Sequence, residues 1–584
     1  MSRTRIHCAF LVIALCLPGV HVEAAVFRVG SDAACTHADI QSAIDAAAAN
    51  GADTLDSIRI ARNDTYLSQA LVIDSQRVIL VGGYADCSAN TRGLPLTVVD
   101  GDGNGGHPIL TIRNPGSIRQ LVQIAGLELR GGNAQTGDGG ALLVTGNAQV
   151  DLSGISLHDN NAGRGGAIYA RGNSSTEKLD LSLDRDSITG EPLRAEDNLA
   201  DLGGAVFVDA NAKLTAGDAR IAQNHAESGG GIYIGSGGDG FFAFNSGAAV
   251  PLDRGVQSNT AELDGGGIYI ASGLLHYVER HSQMGSYRIS GNEAGRDGGG
   301  VFVTGTGSFL FAVGLRLDDN RAGALQAGCG GGGYADNGGG IVVRGDSVGA
   351  PVNFCLADAP CASVSGNQAG INGHAGQGGG LYAGPNGHAT FFVGELRGNQ
   401  SGQGSAGMAA GTNATLKVWS ALVVGNVGNA GTIQASSAAS VDLQGITLTN
   451  DLGSGPLLGI ADAQMLLSAS IIHQSGRIAA AFTGTSTVST DCVISHENFD
   501  ASGDVRVIDP GFMDAGNGDY RLRIDSGAID SCSHSNYLNR DVRDQPRGVD
   551  LPEIPNIGGA YDAGAFERQT GETVFADGFD PPAT

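Results

Sequence analysis

The sequence predicts an all-β protein, a single right-handed parallel β-helix solenoid with an N-terminal capping helix. Three observations predict it. A glycine-rich hexapeptide recurs eight times, at intervals of 26 to 40 residues. An Asn-x-Ala element recurs seven times, usually just before the hexapeptide. Glycine supplies 95 of 584 residues, about 16% against an average near 7%. Fixed repeats of this length are typical of stacked solenoid coils, and so much glycine would destabilise helices.

Residues 1–24 are predicted to be a secretory signal peptide. Arg3 and Arg5 precede an apolar run over 8–17, and the small residue Ala24 stands at the exit. The run is shorter than the roughly 20 apolar residues of a permanent membrane helix. No later segment is long and apolar enough to span a bilayer. We therefore expect export to the extracellular space or the cell surface, with no transmembrane span.

Residues 25–130 are predicted to form the N-terminal cap and the first coils. The segment 38–50 (ADIQSAIDAAAAN) is the one convincing helix, with Ile40 and Ile44 on one face and Asn50-Gly51 as its stop. A helix at the end of a stack covers strand edges that would otherwise invite aggregation. Alternating segments at 71–80 and 121–129 then begin the coils.

Residues 131–410 are predicted to form the Gly-Gly repeat coils. In each hexapeptide two aliphatic residues point to one side of a strand and the residue between them, usually aromatic, points to the other. Stacking in register then buries one shared aliphatic column. The hexapeptides begin at Gly139, Gly165, Gly203, Gly229, Gly265, Gly298, Gly338 and Gly378.

The Asn-x-Ala elements are predicted to form turns. Asparagine tolerates left-handed turn conformations, and stacked asparagines can hydrogen-bond from coil to coil. They stand at Asn160, Asn198, Asn224, Asn259, Asn292, Asn320 and Asn367.

Beyond the repeats the chain changes character twice. Residues 411–504 lack double glycines but retain strand-like segments, so they are predicted to form further coils. Residues 505–570 are rich in Asp, Arg and Pro and are predicted to form a separate C-terminal region. Residues 571–584 are an acidic tail.

Seven cysteines remain after removal of the leader, and an oxidising compartment permits disulfides. We predict a pair between Cys35 and Cys87 and another between Cys492 and Cys532. Among Cys329, Cys355 and Cys361, either Cys355–Cys361 or Cys329–Cys355 can form. No cysteine or histidine pair has the spacing of a zinc site.

The formal net charge of −26 excludes nucleic acid as a partner, because phosphate binding needs a basic surface. Acidic polysaccharides are repelled unless calcium bridges the two. The acidity itself is explained by solubility. We expect a monomer.

The repeats over 133–383 resemble those of chlamydial-type polymorphic outer membrane proteins and other pectin-lyase-like β-helix proteins, without the regular Phe-x-x-Asn partner of the polymorphic pattern. The C-terminal region resembles the end of secreted β-helix proteins of the choice-of-anchor Q type, and 574–579 (VFADGF) is similar to short tails of exported bacterial proteins. This second resemblance implies export and surface display, and no reaction. Its motifs are DPGF at 509–512, GDYRL at 518–522, DSGAID at 525–530, Arg540-Asp541, QPR at 545–547 and YDAGAFE at 561–567.

The first resemblance raises the question of catalysis. Lyases of this fold pair calcium-binding aspartates with an arginine base, and the hydrolases combine three aspartates with Gly-His-Gly and Arg-x-Lys. Here His374 and His388 stand in Gly-His-Ala, and no Arg-x-Lys exists. Arg540, Arg543 and Arg547 are interpreted as members of surface ion pairs. No catalytic residues are assigned, and an enzyme is the less favoured hypothesis.

The segment 100–105 (DGDGNG) begins like a calcium loop, with oxygen ligands at alternating positions. Its twelfth position is Thr111, where a bidentate Glu is required. A turn is the preferred interpretation, so no cofactor is predicted and calcium is the alternative.

Six aromatic residues occupy the same place in the hexapeptide and are predicted to stack as an outward ladder. Such a surface can receive glycans or a cell-surface component. The competing interpretation is that the ladder only covers its own strands. The sequence thus favours a secreted or surface-displayed β-helix with an adhesin-like, structural or glycan-binding role, with a polysaccharide lyase or glycoside hydrolase as alternative. The six are Tyr169, Phe207, Tyr233, Tyr269, Phe302 and Tyr382.

Overall fold

The protein is a parallel β-helix in a computed structural model, as the sequence predicts. Residues 1–22 of the leader, residues 572–584 of the acidic tail and the three middle cysteines lie outside the described residues. The structure describes residues 23–244, 254–279, 288–313, 315–323, 341–343, 348–351, 362–370, 376–402, 404–499, 501–533, 539–543 and 545–571.

In these residues the strands form three parallel sheets. The largest, here called the broad sheet, has 27 strands in two sets joined at a bend. The first set comprises Val26–Val29, Asp56–Ala61, Val78–Tyr84, Gln120–Ala125, Ala148–Ser153, Leu179–Asp184, Ala212–Ala216, Asp239–Phe244, Leu274–Glu279, Phe309–Val313, Val348–Pro351, His388–Arg397, Thr415–Val424, Ser440–Gln444, Gln464–Ile472, Thr487–Ser495 and Ser502–Val507. The second set comprises Thr97–Asp100, Leu127–Arg130, Ser156–His158, Leu193–Glu196, Ala219–Ala222, Gly255–Gln257, Arg288–Ser290, Arg316–Asp318, Ala362–Ser365 and Thr447–Thr449.

The second sheet, here called the repeat sheet, has 14 strands in the described residues and carries the hexapeptides. Its strands are Leu71–Asp74, Leu110–Asn114, Leu142–Gly146, Ile168–Arg171, Val206–Val208, Ile232–Ile234, Ile268–Ala271, Val301–Thr304, Ile341–Val343, Leu381–Ala383, Ser405–Ala410, Gly431–Ser436, Leu458–Ala461 and Ala480–Thr483.

The third, short sheet has eight strands in the same part of the chain. They are Asn161–Arg164, Leu199–Leu202, His225–Ser228, Thr260–Ala261, Glu293–Ala294, Arg321–Ala322, Gln368–Ala369 and Gln400–Ser401. A separate antiparallel pair joins Phe512–Asp514 to Asp519–Leu522.

The two glycines that open a hexapeptide have different roles, as Gly203 and Gly204 show. Gly203 has φ +66°, a left-handed conformation that glycine adopts without penalty. Gly204 lies so close to the next coil that a Cβ atom would stand 2.1 Å from the carbonyl oxygen of Gly230. The first glycine therefore turns the chain and the second lets neighbouring coils approach.

The Asn-x-Ala asparagines form one continuous buried ladder. From Asn198 onward, each Oδ1 accepts the backbone N–H and the Nδ2–H of the asparagine one coil earlier, and the Nδ2 to Oδ1 distances within the asparagine part are 2.9 to 3.0 Å. Oδ1 of Asn160, the first member, accepts the N–H of Gly132. The structure extends the predicted series by Asn399 and Asn426, and Asp451 follows as its last member. All ten side chains are buried.

Asp451 places a carboxyl group where the ladder would have another amide. Its Oδ1 accepts the N–H of Asn426 at 2.6 Å. Burial raises the pKa of Asp451 to about 6, although hydrogen bonds from Thr432 and Asn426 and the charge of Arg477 favour the ionised form. Because the pKa of Asp451 is higher in the folded than in the unfolded state, its protonated carboxyl group contributes fully to the free energy of unfolding below the unfolded pKa. That contribution is lost as the pH rises through 6.

Replacing Asp451 with asparagine is expected to stabilise the protein at pH 7.5, because it removes a buried charge and continues the ladder. A shift of roughly two pKa units corresponds to about 3 kcal/mol. The gain should shrink below pH 5, where the wild-type carboxyl is protonated. Urea unfolding at pH 4.5 and 7.5 measures the gain in the free energy of unfolding and its dependence on pH. The Asp201→Asn variant, at an exposed position, is the control. A stability difference that does not change with pH would contradict this assignment.

The helix α1, Ile40–Ala49, covers the N-terminal end of the stack. Asp39 caps it by accepting the backbone N–H of Ser42 at 2.8 Å, which satisfies one of the free N–H groups of the first turn. Ile40 and Ile44 are buried against the first strands, as the sequence predicts. No helix in the described residues is long and apolar enough to cross a bilayer.

The predicted C-terminal region begins within the last strand of the broad sheet, Ser502–Val507, and the rest of it, 508–570, folds back over the outer face of the last coils. We call 508–570 the C-terminal cover. Leu422 and Val424 of the broad sheet pack against Tyr520, Val542 and Ala565. Both predicted disulfides are present, and Cys492–Cys532 ties this C-terminal cover to the coils, while Cys35–Cys87 ties the first strands together.

The interpretation of Arg547 as a member of a surface ion pair is wrong. Arg547 and Glu567 have fully buried side chains 3.6 Å apart. Arg543 pairs with Asp541, which is also fully buried. Folding of the C-terminal cover onto the coils buries these charges, and nothing in the local sequence distinguishes them from exposed ones.

Candidate binding surfaces on the outside of the solenoid

The predicted aromatic series is in register on the repeat sheet. Tyr169, Phe207, Tyr233, Tyr269 and Phe302 occupy successive coils. The rings of Phe207, Tyr233 and Tyr269 stack almost parallel, with centroids 4.8 and 4.7 Å apart. The next place belongs to Val342, and the one after it to Tyr382. The structure therefore brings the six residues into one column with a single interruption.

Most of this ladder is covered. Tyr169, Phe207, Phe302 and Tyr382 are buried, whereas Tyr233 and Tyr269 are half-exposed. The guanidinium of Arg164 lies over Tyr169, 4.8 Å from the ring centroid, and Asp138 holds Arg164 in place. Burial, together with the hydrogen bond to Asp209, raises the pKa of Tyr169.

Stacking also determines which part of each ring in the aromatic ladder a ligand can contact. A ring between two parallel neighbours has both faces occupied, so it presents only its edge to solvent. Sugars bind aromatic side chains chiefly through ring faces. A binding role for the six residues stays a prediction, and the geometry favours packing for the buried ones.

Beyond Tyr382 the column continues in small or flexible residues. The register leads from Tyr382 to Ala409, Gln434, Gly459 and Ala481. These residues leave a shallow cavity of about 240 Å³. It is lined by Gln377, Ala410, Gln434, Ala435, Ser436, Gly459, Ile460, Ala461, Ala481 and Thr483.

A second group of aromatic residues lies on the outer face of the broad sheet. Phe241, His276 and Phe311 occupy one column on three successive coils, and Phe309 stands beside them. All four are half-exposed. We call them the aromatic patch.

The rings of the aromatic patch are farther apart than those of the ladder. The centroid of His276 lies 6.5 Å from that of Phe241, 6.0 Å from Phe309 and 5.9 Å from Phe311, with tilts of 46 to 54°. The rings of Phe309 and Phe311 are nearly parallel, at 15°, with their centroids 6.3 Å apart. None of these centroid distances is as short as the 4.7 and 4.8 Å between the central rings of the aromatic ladder. The amine of Lys213 lies 5.2 Å from the Phe241 ring.

Another aromatic pair continues along the same face. Phe392 and Trp419 are paired on neighbouring coils with centroids 4.6 Å apart, and both are half-exposed. The amine of Lys417 lies 5.9 Å from the Trp419 ring. From the coil of Phe241 to that of Trp419 there are five steps of ~4.8 Å, or about 24 Å along the axis. The strand between them, Val348–Pro351, carries no aromatic residue, and Phe311 faces Ala350 there. We call the patch and the pair together the line of rings.

Two pairs of adjacent phenylalanines in the sequence indicate this line of rings, although they lie outside the hexapeptides. Phe391-Phe392 and Phe241-Phe242 are each a doublet within a strand, and one ring of each doublet must face outward. Phe242 and Phe391 are buried, so Phe241 and Phe392 are the outward ones. Only the register, which sequence alone does not give, decides between the two.

Carboxylates and arginines gather at the bend of the broad sheet. Asp218 pairs with Arg185 at 2.5 Å and with Arg254 at 2.7 Å. Partial burial, followed by the charges of Asp218 and Asp151, raises the pKa of Asp184 to about 6. Because Asp184 is exposed as a whole residue, solvent weakens that shift.

The loop that follows Asp184 also lines a pocket. Its wall on the other side is the segment 94–96, held by the ion pair between Arg92 and the buried Asp186. The pocket has a volume of about 500 Å³ and is lined by Leu94, Pro95, Leu96, Ile155, Ser156, Glu191, Pro192 and Arg194. Apolar walls with a few charged groups are typical of ligand sites.

The side chains of the calcium-like segment are used by the turn itself. Asp100 accepts the N–H of Asp102 at 2.9 Å and the guanidinium of Arg130 at 3.0 Å. Asn104 accepts the N–H groups of Gly106 and His107. Thr111 lies on a strand of the repeat sheet. These contacts favour the interpretation as a turn.

Comparisons with known proteins add no assignment. No protein-family model matches the chain, and no curated protein matches it. The candidate surfaces are therefore judged on their geometry.

Proposed function

We propose that this protein is a secreted or surface-displayed β-helix that binds glycans along the aromatic patch and the Phe392–Trp419 pair. The observation that carries the proposal is the line of half-exposed rings on the outer face of the broad sheet. Export rests on the predicted leader, and display rests on the resemblance of the C-terminal region.

Ring faces attract the C–H groups of sugars, and the broad sheet presents several half-exposed rings on its outer face. Lys213 and Lys417, close to Phe241 and Trp419, supply hydrogen-bond donors for hydroxyl groups. The overall charge of −26 disfavours anionic chains. Neutral oligosaccharides are therefore the ligand class that fits best. Several modest contacts along a rigid rod also add up when the ligand is repetitive.

Replacing Phe309 or Trp419 with alanine is expected to weaken glycan binding at least about tenfold, as for aromatic residues that dominate an interface. The measurement is a glycan array with the purified protein, followed by calorimetric titration of the best ligand. Leu466→Ala is the matched control, because Leu466 is exposed on the same face, beyond Trp419. Its binding should equal that of the wild type.

The Tyr233→Ala variant distinguishes glycan binding at the broad sheet from glycan binding at the aromatic ladder. We expect it to reduce stability by about 2 kcal/mol, through lost burial and stacking, and to leave glycan affinity unchanged. If Tyr233→Ala abolishes binding while the protein stays folded, the ladder binds the ligand and the proposal for the broad sheet is wrong.

The second candidate function is a polysaccharide lyase or glycoside hydrolase. It is favoured by the group of Asp151, Asp184 and Asp218 with Arg185 and Arg254 at the bend. A carboxyl with a raised pKa beside an ionised one is an arrangement suited to general acid–base work. Release of new reducing ends or unsaturated sugars that Asp184→Asn abolishes would establish it.

A further inference from the structure

The two ends of the solenoid differ in how their strand edges are covered. At the N-terminal end, the first strand, Val26–Val29, is bordered by α1 and by a bridge from Val29 to His37. At the other end, the last strand of the broad sheet, Ser502–Val507, pairs with Thr487–Ser495. In the part of the chain that the structure describes, no strand pairs with its opposite edge.

This free edge adjoins apolar surface. Val507 is 52% exposed, and Ile508 is 38% exposed. Ile557 is 60% exposed, and its neighbour Gly558 lies against the guanidinium of Arg506. Val505 is half-exposed and packs on the main core. An uncovered edge with apolar neighbours favours pairing with another strand.

We infer that this edge pairs with the same edge of a second copy of the chain, forming an end-to-end dimer by antiparallel strand addition. With a two-fold axis at Val505, residue i of one copy faces residue 1010 − i of the other. Asp504 then faces the other copy's Arg506, and Arg506 faces the other copy's Asp504. Val505 meets Val505, which joins the two apolar cores.

The charge pattern selects a second copy over other strands. Asp504 and Arg506 lie on the same side of the strand, as their 3.0 Å ion pair shows. In the antiparallel arrangement two opposite-charge pairs form across the axis, and such pairs directly opposite stabilise a sheet. A strand without this Asp-Val-Arg pattern would add no opposite-charge pairs to the one that Asp504 and Arg506 already form. Because a two-fold interface uses the same patch on both copies, assembly stops at two.

This inference differs from the monomer expected from the sequence, and it is independent of the proposed glycan binding. Sedimentation velocity of the purified protein over a range of concentrations tests it. We expect a dimer. Asp504→Arg and Arg506→Asp, each alone, place like charges opposite each other and should raise the dimer dissociation constant at least about tenfold.

Mixing the two single variants gives the decisive result. One variant carries two positive charges at this edge and the other two negative charges, so the mixture should form a heterodimer. The double variant Asp504→Arg/Arg506→Asp should dimerise like the wild type. The control Arg523→Asp changes an exposed pair elsewhere and should leave the dimer intact. A wild-type monomer at every concentration, open-ended association, or dimers that persist in both single variants would overturn the inference.

Discussion

Replacing Asn259 with alanine is expected to lower the free energy of unfolding by about 4 kcal/mol. The fully buried side chain of Asn259 accepts the backbone N–H and the Nδ2–H of Asn224 at 3.0 and 2.9 Å. Its own Nδ2 donates to the carbonyl of Ile221 and to Oδ1 of Asn292, both at 3.0 Å. Alanine leaves these partners without their bonds, and each unsatisfied buried group costs about 1–3 kcal/mol.

The loss should be concentrated in the coils around Asn259, because each coil of a solenoid contacts only its neighbours. Urea unfolding gives the total, and hydrogen exchange locates it in the strands Gly255–Gln257 and Arg288–Ser290. Asn161→Ala is the matched control, since Asn161 makes one exposed side-chain hydrogen bond, to Asn133. Its cost should stay within about 0.5 kcal/mol. Equal losses in the two variants would show that the asparagine ladder is not a main source of stability.

The first seven residues of the asparagine ladder were predictable from the sequence, and the last three were not. The early asparagines are all followed by the same x-Ala pattern, which makes the repeat visible. Asn399 is followed by Gln-Ser and Asn426 by Val-Gly, so the pattern fades although the turn persists. The preceding glycines, Gly398 and Gly425, have φ +64° and +69°. A glycine before an asparagine at intervals near 27 residues is the signal that would have found them.

The line of rings on the broad sheet escaped prediction for a different reason. The hexapeptide fixes the orientation of its aromatic residue, because two aliphatic residues flank it. Phe309 and Phe311 flank Leu310 instead, which inverts the pattern, and Leu310 is the buried residue. Which of two apolar sets faces the core is decided by register with neighbouring coils. Local sequence alone therefore does not show which residues of these strands face outward.

The C-terminal cover shows most clearly what the sequence alone could not predict. Its Asp and Arg residues were visible in the sequence, but their burial depends on contacts more than 100 positions away. Arg547 donates from Nε to Oγ of Ser420 at 3.2 Å and from Nη2 to the carbonyl of Gly445 at 3.5 Å. One guanidinium thus joins the cover to two separate coils.

Replacing Arg547 with methionine is expected to cost about 3–5 kcal/mol and to release the C-terminal cover. Burial raises the pKa of Glu567, and the charge of Arg547 opposes that rise. Without Arg547 the carboxylate is left buried and uncompensated, which is strongly destabilising. Limited proteolysis with mass spectrometry should show early cleavage within 508–570 while the coils remain protected. Arg523→Met, at an exposed pair, is the control and should behave as the wild type.

Adding Glu567→Gln to Arg547→Met should recover part of the lost stability, because the uncompensated charge is then removed. Recovery will be incomplete, since Arg547 also donates to the backbone carbonyls of Arg540, Asp562 and Gly564. Glu567 Oε1 accepts the N–H groups of Gly548 and Val549 at 2.7 and 3.0 Å, and a glutamine oxygen can accept the same pair. The glutamine NH2 group cannot replace Oε2, which accepts the N–H of Asp562 at 3.1 Å, so this bond is lost as well. If the double variant is no more stable than Arg547→Met, the pairing of charges is not what holds the cover, and the backbone contacts of Arg547 carry the effect.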